Sequence, residues 1–95
     1  MLFEWDSNKE EINIKKHGID FTTASKVFDD EYLLEEYDNE HSLGEDRYKV
    51  LGMINDVSVV LAVIYTDRKK SCRIISARHA TKKEERKYYA NRERY

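Results

Sequence analysis

Proline is absent from this 95-residue chain, glycine occurs three times and cysteine once. So little proline and glycine leaves little material for a flexible linker, and 95 residues support one hydrophobic core. We therefore predict a single domain over residues 1–95. The lone Cys72 cannot form a disulfide within the chain, which is typical of a protein from the reducing cytoplasm.

Long hydrophobic runs are also missing. The longest apolar run, VSVVLAVIY at residues 57–65, has about half the length that a membrane-spanning helix needs. The segment MLFEWDSNKE at the start is acidic and lacks the apolar core of a signal peptide. HExxH and CxxC spacings, a glycine-rich phosphate loop and a GxSxG turn are absent as well. We accordingly expect a cytoplasmic protein with no membrane contact, no metal and no cofactor.

Charge is plentiful and unevenly distributed. Charged residues make up 38% of the chain, and the net charge of −2 combines −10 in residues 1–46 with +8 in residues 47–95. A basic half is typical of a protein that binds a polyanion or an acidic protein. Alternatively, the acidic half neutralises the basic half across the fold, and composition does not separate these two interpretations.

Hydrophobic periodicity and capping signals predict the secondary structure of the first part of the chain. FEWD at residues 3–6 indicates an edge strand, and Ser7 with Glu10 has the spacing of a capping box that opens a helix ending near His17. Gly18 is placed for a left-handed helix end. The predicted apolar contact of this helix is Ile12. A second short helix near residue 22 would pack Ala24, Val27 and Phe28 on one face.

The rest of the chain predicts strands and a final helix. Strands are expected near residues 32–38, 47–54, 57–66 and 72–77, with a hairpin turn at Asn55 and Asp56. Thr81 and Glu84 repeat the capping-box spacing at the start of a C-terminal helix. The predicted class is α+β, with two N-terminal helices, an antiparallel sheet of three to four strands and a C-terminal helix.

Three arginines fall on the predicted sheet. Arg47 begins one strand, Arg73 lies inside another and Arg78 stands where that strand ends. A guanidinium is always charged, and its forked donors match phosphate oxygens or a carboxylate. Strict alternation puts Arg73 and Arg78 on opposite faces, so they share a site only if the chain bends near Ala77. The alternative is that each arginine pairs with an acid such as Glu35, Glu36 or Asp67.

The histidines and tyrosines leave several interpretations open. His17 can act as a general acid or base, or simply cap the C-terminal end of its helix. His41 lies near Glu40 and Glu45, yet no metal-ligand spacing accompanies it. Tyrosines can stack on bases or bind phosphates, although they more often pack in the core with the hydroxyl at its rim.

Several blocks of the sequence resemble the BrnT family of toxins from type II toxin–antitoxin pairs. They are FEWD, KHGIDFTTASKVFDD (residues 16–30), HSLGEDRYKVLG (41–52), VIYTDR (63–68) and RIISARHATKKEERKYY (73–89). The resemblance implies a RelE-like ribonuclease fold, metal-independent RNA cleavage and a ribbon-helix-helix, BrnA-like antitoxin. The expected complex is heterotetrameric and binds operator DNA only through the antitoxin. The net charge departs from the basic charge of many such toxins.

The resemblance and the arginines together predict an endoribonuclease in which a ribose 2′-OH attacks the adjacent phosphate. Arg47, Arg73 and Arg78 would hold the transition state, and His17 or Tyr65 would transfer the proton. RNA-binding roles are predicted for Lys16, Arg68, Lys82 and Tyr88. We expect Arg73→Ala to abolish growth arrest with folding nearly intact. The alternative is a non-catalytic module that binds RNA or protein through its basic half.

Overall fold

A five-stranded sheet with helices on both faces organises the chain. The computed structural model describes residues 2–54, 58–69 and 71–94. The elements are β1 (Phe3–Trp5), α1 (Ser7–His17), α2 (Phe21–Ser25), a 3₁₀ helix (Lys26–Asp29), β2 (Leu34–Tyr37), β3 (Tyr48–Met53), β4 (Val60–Arg68), β5 (Ser71–His79) and α3 (Lys82–Arg92). The predicted α+β class is confirmed, and the second N-terminal helix is a five-residue turn that continues into the 3₁₀ helix.

The sheet has the strand order β1-β5-β4-β3-β2. The strands from β2 to β5 are antiparallel neighbours, whereas β1 runs parallel to β5. The prediction of a purely antiparallel sheet of three to four strands is therefore wrong. The prediction missed the parallel pairing of β1 with β5, because no local signal shows that residues near the start pair with residues some 70 positions later. The predicted turn at Asn55 and Asp56 lies outside the described residues.

Both ends of α1 are fixed by short polar contacts. The cap is Asp6, one residue earlier than predicted, and its carboxylate accepts hydrogen bonds from the backbone N–H groups of Asn8 and Lys9. Glu10 does not complete a capping box but accepts from the backbone of Phe21 at 2.9 Å. Gly18 has φ 70°, and its N–H donates to Ile14, which confirms the predicted left-handed end.

The hydrophobic core lies on both faces of the sheet. On one face, Val63 and Ile74 of the sheet pack in a cluster with Phe21 of α2 and with the 3₁₀ helix. The other face, called the α3 face below, packs Leu51 and Ala62 against Tyr88 of α3, among others.

The predicted apolar contact of Ile12 is wrong, because that side chain is 63% exposed and its neighbour Asn13 is buried. Cys72 is a buried core residue, and burial raises the pKa of its thiol to about 12. Among the described residues no helix has both the length and the apolar character needed to cross a bilayer.

A bulge in β5 changes which side chains share a face. Ile64 of β4 pairs with Ser76, but the next residue of β4, Tyr65, pairs with Ile74, so Ile75 is an extra residue in β5. Since β4 alternates regularly, Arg73 opposite Thr66 and Arg78 opposite Ala62 fall on the same face. Strict alternation, which would put these arginines on opposite faces, is therefore broken, and the irregularity lies at Ile75 rather than near Ala77.

Candidate active site

A groove of about 600 Å³ crosses the α3 face of the sheet. One wall is α1, which contributes side chains from Lys9 to His17, and the other is the loop of residues 38–47 that joins β2 to β3. The lining carries six cationic side chains, two histidines and three acids: Lys9, Lys16, Arg47, Lys49, Arg78, Lys87, His17, His41, Glu36, Asp38 and Glu40. Cations outnumber carboxylates in the lining of this groove, although the whole chain is acidic, so the groove is suited to a phosphate backbone.

Arg47 enters the groove from a tightly closed loop. The Ser42 hydroxyl accepts from the Arg47 N–H at 2.9 Å and donates to the Asp38 carbonyl at 2.6 Å, while the Asp38 N–H donates to the Arg47 carbonyl at 2.9 Å. Gly44, with φ 89°, supplies a backbone conformation that residues with a side chain rarely adopt. These bonds fix the backbone from which the Arg47 side chain projects.

The Arg47 guanidinium lacks a neutralising partner among the residues that the structure describes. Its Nε is buried without a hydrogen-bond acceptor, and within the described ranges the side chain makes no ion pair. An unpaired buried donor costs about 1–3 kcal/mol, and more for a charged group. Arg47 is therefore a cation for which an anionic ligand would remove an energetic penalty.

Arg78, in contrast, is held by a carboxylate. Two of its guanidinium nitrogens lie 2.7 and 3.1 Å from the two carboxylate oxygens of Glu84 on α3, and Lys49 lies 2.8 Å from the same residue. Glu84 is buried, and its pKa is lowered mainly by the hydrogen bond from Arg78; the pKa of Arg78 is raised in turn. The pairing alternative considered for the arginines holds for Arg78, with Glu84 as the acid.

Arg73 and Arg68 do not line the groove. Both lie near the half-exposed carboxylate of Glu4, at 3.6 Å for Arg73 and 3.9 Å for Arg68, and Arg68 also approaches Glu45 at 3.8 Å. The sequence-predicted group of three arginines is thus only partly assembled. Arg47 and Arg78 share the groove, and Arg73 belongs to a separate surface cluster.

The last turn of α1 brings His17 and Lys16 to the groove, as the predicted roles require. The opposite wall carries a histidine to which no catalytic role was given, His41, whose Nδ1 lies 2.9 and 3.2 Å from the two carboxylate oxygens of Asp38. The sequence signal for this pair was an aspartate three residues before a histidine. The described part of the chain contains no group of three or more His, Cys, Asp or Glu side chains placed to hold a metal.

Tyr65, Tyr88 and Lys82 lie away from the groove. Tyr65 is on the opposite face of the sheet, where it stacks on Tyr48 and its hydroxyl donates to Glu35; burial, first, and that hydrogen bond raise its pKa. Tyr88 is fully buried, and burial together with its bond to Asp30 raises its pKa. Lys82 is exposed at the start of α3. None of the three meets His17 or Arg47.

A family model agrees with the sequence resemblance. The model described as "Ribonuclease toxin, BrnT, of type II toxin-antitoxin system" matches residues 5–84. No curated protein matches the chain. The matched region contains all the groove residues named above except Lys87. The chain therefore belongs to the BrnT family of ribonuclease toxins from type II toxin–antitoxin systems.

Proposed function

We propose that the groove on the α3 face is the RNA-cleaving site and that it works without a metal ion. The ribose 2′-oxygen attacks the adjacent phosphorus, a new 2′-O–P bond forms and the P–O5′ bond breaks. The 2′-OH proton passes to a base, and the leaving 5′-oxygen takes up a proton. The products are a 2′,3′-cyclic phosphate and a free 5′-OH. Side chains of the types present in the groove supply every group that this reaction needs.

The observation that carries the proposal is the unpaired Arg47 guanidinium. A pentacoordinate phosphorane carries more negative charge on its non-bridging oxygens than the starting diester, so a fixed cation binds the transition state more strongly. In measured oxyanion sites, loss of one such donor costs about 10²–10³ in rate. Arg47 has this role in the proposal, because its guanidinium is not already neutralised.

His17 is the proposed proton acceptor for the 2′-OH. It lines the groove beside Lys16, whereas the other candidate, Tyr65, is 8% exposed and lies on the far side of the sheet. General base catalysis contributes about 10²–10⁴ in rate. Lys16 fits the predicted RNA-binding role, since its side chain is exposed at the mouth of the groove.

Arg78 and Lys49 are proposed to shape the electrostatic field rather than to grip the phosphate directly. Glu84 already occupies the donors of Arg78 in a two-point contact, and Lys49 shares that carboxylate. Two cations on one carboxylate leave a net positive charge, which attracts RNA without requiring the ion pairs to break.

The test is incubation of the purified chain with a mixed-sequence RNA in excess EDTA. We expect discrete cleavage with cyclic phosphate and 5′-OH ends. Cleavage only after Mg²⁺ is added would contradict metal independence. RNA that is shifted on a native gel but remains uncut would favour the alternative, a non-catalytic RNA-binding module.

Family membership implies an antitoxin partner and an RNA substrate. We further propose that the antitoxin is a ribbon-helix-helix protein of the BrnA type, that the complex is heterotetrameric and that operator DNA is bound through the antitoxin. These details, like the RelE-like character of the fold, are supported by the sequence resemblance alone and stay predictions.

A further inference from the structure

We propose that His41, held by Asp38, donates the proton to the leaving 5′-oxygen. This inference rests on the proposed function and deepens it, because it assigns the second half of the proton transfer. His41 is the only histidine besides His17 that lines the groove within the described ranges. The third histidine, His79, is exposed at the end of β5 and does not line it.

The contact between His41 and Asp38 orients the imidazole ring. One carboxylate oxygen of Asp38 lies 2.9 Å from Nδ1 of His41, and the other accepts a hydrogen bond from the His41 backbone N–H at 3.3 Å. The Asp38 side chain is 13% exposed, whereas that of His41 is 60% exposed. A nearly buried carboxylate thus holds one side of an accessible ring, and Nε2 on the other side stays free to reach a ligand.

This arrangement suits a proton donor. A general acid begins as the imidazolium, with both ring nitrogens protonated, and the Asp38 carboxylate places a negative charge beside that cation. When Nε2–H passes its proton to the 5′-oxygen, the ring becomes neutral and keeps its Nδ1–H bond to Asp38. His17 has no carboxylate within ion-pair distance in the part of the chain that is described, which leaves it the acceptor role.

The positions of the two histidines fit the geometry of the reaction. His17 belongs to the wall made by α1, and His41 belongs to the wall made by the loop of residues 38–47. In an in-line displacement the attacking 2′-oxygen and the leaving 5′-oxygen lie on opposite sides of the phosphorus. Proton acceptor and donor are therefore needed on opposite sides of a phosphate that Arg47 binds between them.

The deciding experiment compares two RNA substrates that differ in one atom. In one, the leaving group at the cleaved linkage is the normal 5′-oxygen; in the other it is a 5′-sulfur, which leaves as a thiolate and needs no proton. On the oxygen substrate we expect His41→Ala to reduce single-turnover cleavage by about 100-fold or more. On the sulfur substrate we expect it to stay within about threefold of the unmodified chain, because the step that needs the donor is gone.

Two control substitutions complete the design. His79→Ala removes a histidine outside the groove and should leave both rates unchanged. His17→Ala should slow both substrates, since removal of the 2′-OH proton is required in either case. An equal loss for His41→Ala on the two substrates, or no loss on either, would overturn the assignment.

Asp38 is a positioning residue in this proposal, and its test needs a matched charge change. Asp38→Asn should reproduce the His41→Ala pattern in weaker form. Its cleavage rate should fall on the oxygen substrate and stay near that of the unmodified chain on the sulfur substrate. Glu40→Gln removes one negative charge from the same groove and should not show that pattern.

The two proposals fail in different ways. If the unmodified chain cuts both substrates in EDTA and His41→Ala cuts both equally well, the role of His41 is refuted and the proposed function stands. If the unmodified chain cuts neither substrate, both proposals are refuted.

Discussion

Asn13 shows how a single polar residue can dock a helix where apolar residues were expected. Its side chain is 4% exposed, and it donates to the carbonyls of Ile19 and Ala77 and accepts from the Ala77 N–H. The parallel pairing of β1 with β5 ends at Ile74, so the Ala77 backbone lies on an edge that none of the described strands covers. Asn13 takes the place of that missing strand. Hydrophobic periodicity indicates only apolar contacts, so it favours Ile12 over Asn13 at this position.

We predict that Asn13→Ala destabilises the fold by about 2–4 kcal/mol, because three buried backbone groups lose their partner at once. Urea unfolding followed by circular dichroism would show the loss as a lower midpoint at unchanged slope.

The control is Asn8→Ala, which changes the same residue type on the exposed first turn of α1. It should stay within about 0.5 kcal/mol of the unmodified chain. Equal stability of Asn13→Ala and the unmodified chain would show that the docking contact is unimportant.

Residue types were predictable from the sequence, but their partners were not. The arginines of RIISAR and the histidine before Gly18 were identified as candidate site residues. The pairing of Arg78 with Glu84 depends on contacts between separate elements of the fold, and so does the lack of an acid for Arg47 among the described residues. Tyr65 was a reasonable acid or base by type, and only the strand register places it on the far face.

At the scale of elements, α3 is joined to the sheet by both apolar and ionic contacts. Tyr88 is its fully buried anchor, and Glu84 connects the helix to Arg78 on β5 and to Lys49 on β3. The Thr81–Glu84 capping box was predicted and is confirmed, with both reciprocal hydrogen bonds present. One carboxylate thus caps the helix and holds two cations of the groove.

We predict that Glu84→Gln costs about 1.5–3 kcal/mol at neutral pH, through loss of hydrogen bonds between charged groups. The effect should depend on pH in a defined direction. The folded-state pKa of Glu84 is lowered from its ordinary value of 4.5, so its stabilisation is complete above 4.5 and falls as the pH drops toward the lowered pKa. Unfolding curves of the two chains should therefore converge in acid.

Glu85→Gln is the neighbouring control on the same helical turn, where the side chain makes no ion pair within the described residues. It should have little effect at any pH. A stability difference between Glu84→Gln and the unmodified chain that stays constant down to acid pH would contradict the linkage argument.

The bulge in β5 marks the limit of predicting an element from its own sequence. If side chains alternated strictly along RIISAR, Arg73 and Arg78 would lie on opposite faces of the sheet. The extra residue Ile75 brings the two arginines to one face, and it is visible only in the pairing with β4. The existence of this strand was predictable from its own sequence. The face on which each side chain lies was not, because it depends on the pairing with the neighbouring strand.

At the scale of the whole molecule, the two differently charged halves of the chain both contribute to the groove. Lys9 and Lys16 come from the acidic half, and the remaining cations come from the basic half. Neutralisation across the fold also occurs, because Glu36 of the acidic half pairs with Lys49 and Lys87. Neutralisation across the fold is therefore confirmed for part of the groove, where Lys49, Arg78 and Lys87 pair with acids, while binding of a polyanion through the basic half stays a prediction.

The family was predictable because its blocks follow in order along the chain. The groove was not, since it draws side chains from every element except β1, α2 and the 3₁₀ helix. The proposed function of the groove depends above all on Arg47 binding the phosphate that is cut.

The most direct test measures single-turnover RNA cleavage in EDTA by Arg47→Ala and by Arg73→Ala, with thermal unfolding as the check on folding. We predict that Arg47→Ala loses about 10²–10³ in rate without loss of stability, while Arg73→Ala, outside the groove, stays within about threefold. This reverses the expectation for Arg73 drawn from the sequence. Full activity of Arg47→Ala, or an equal loss in Arg73→Ala, would contradict the account.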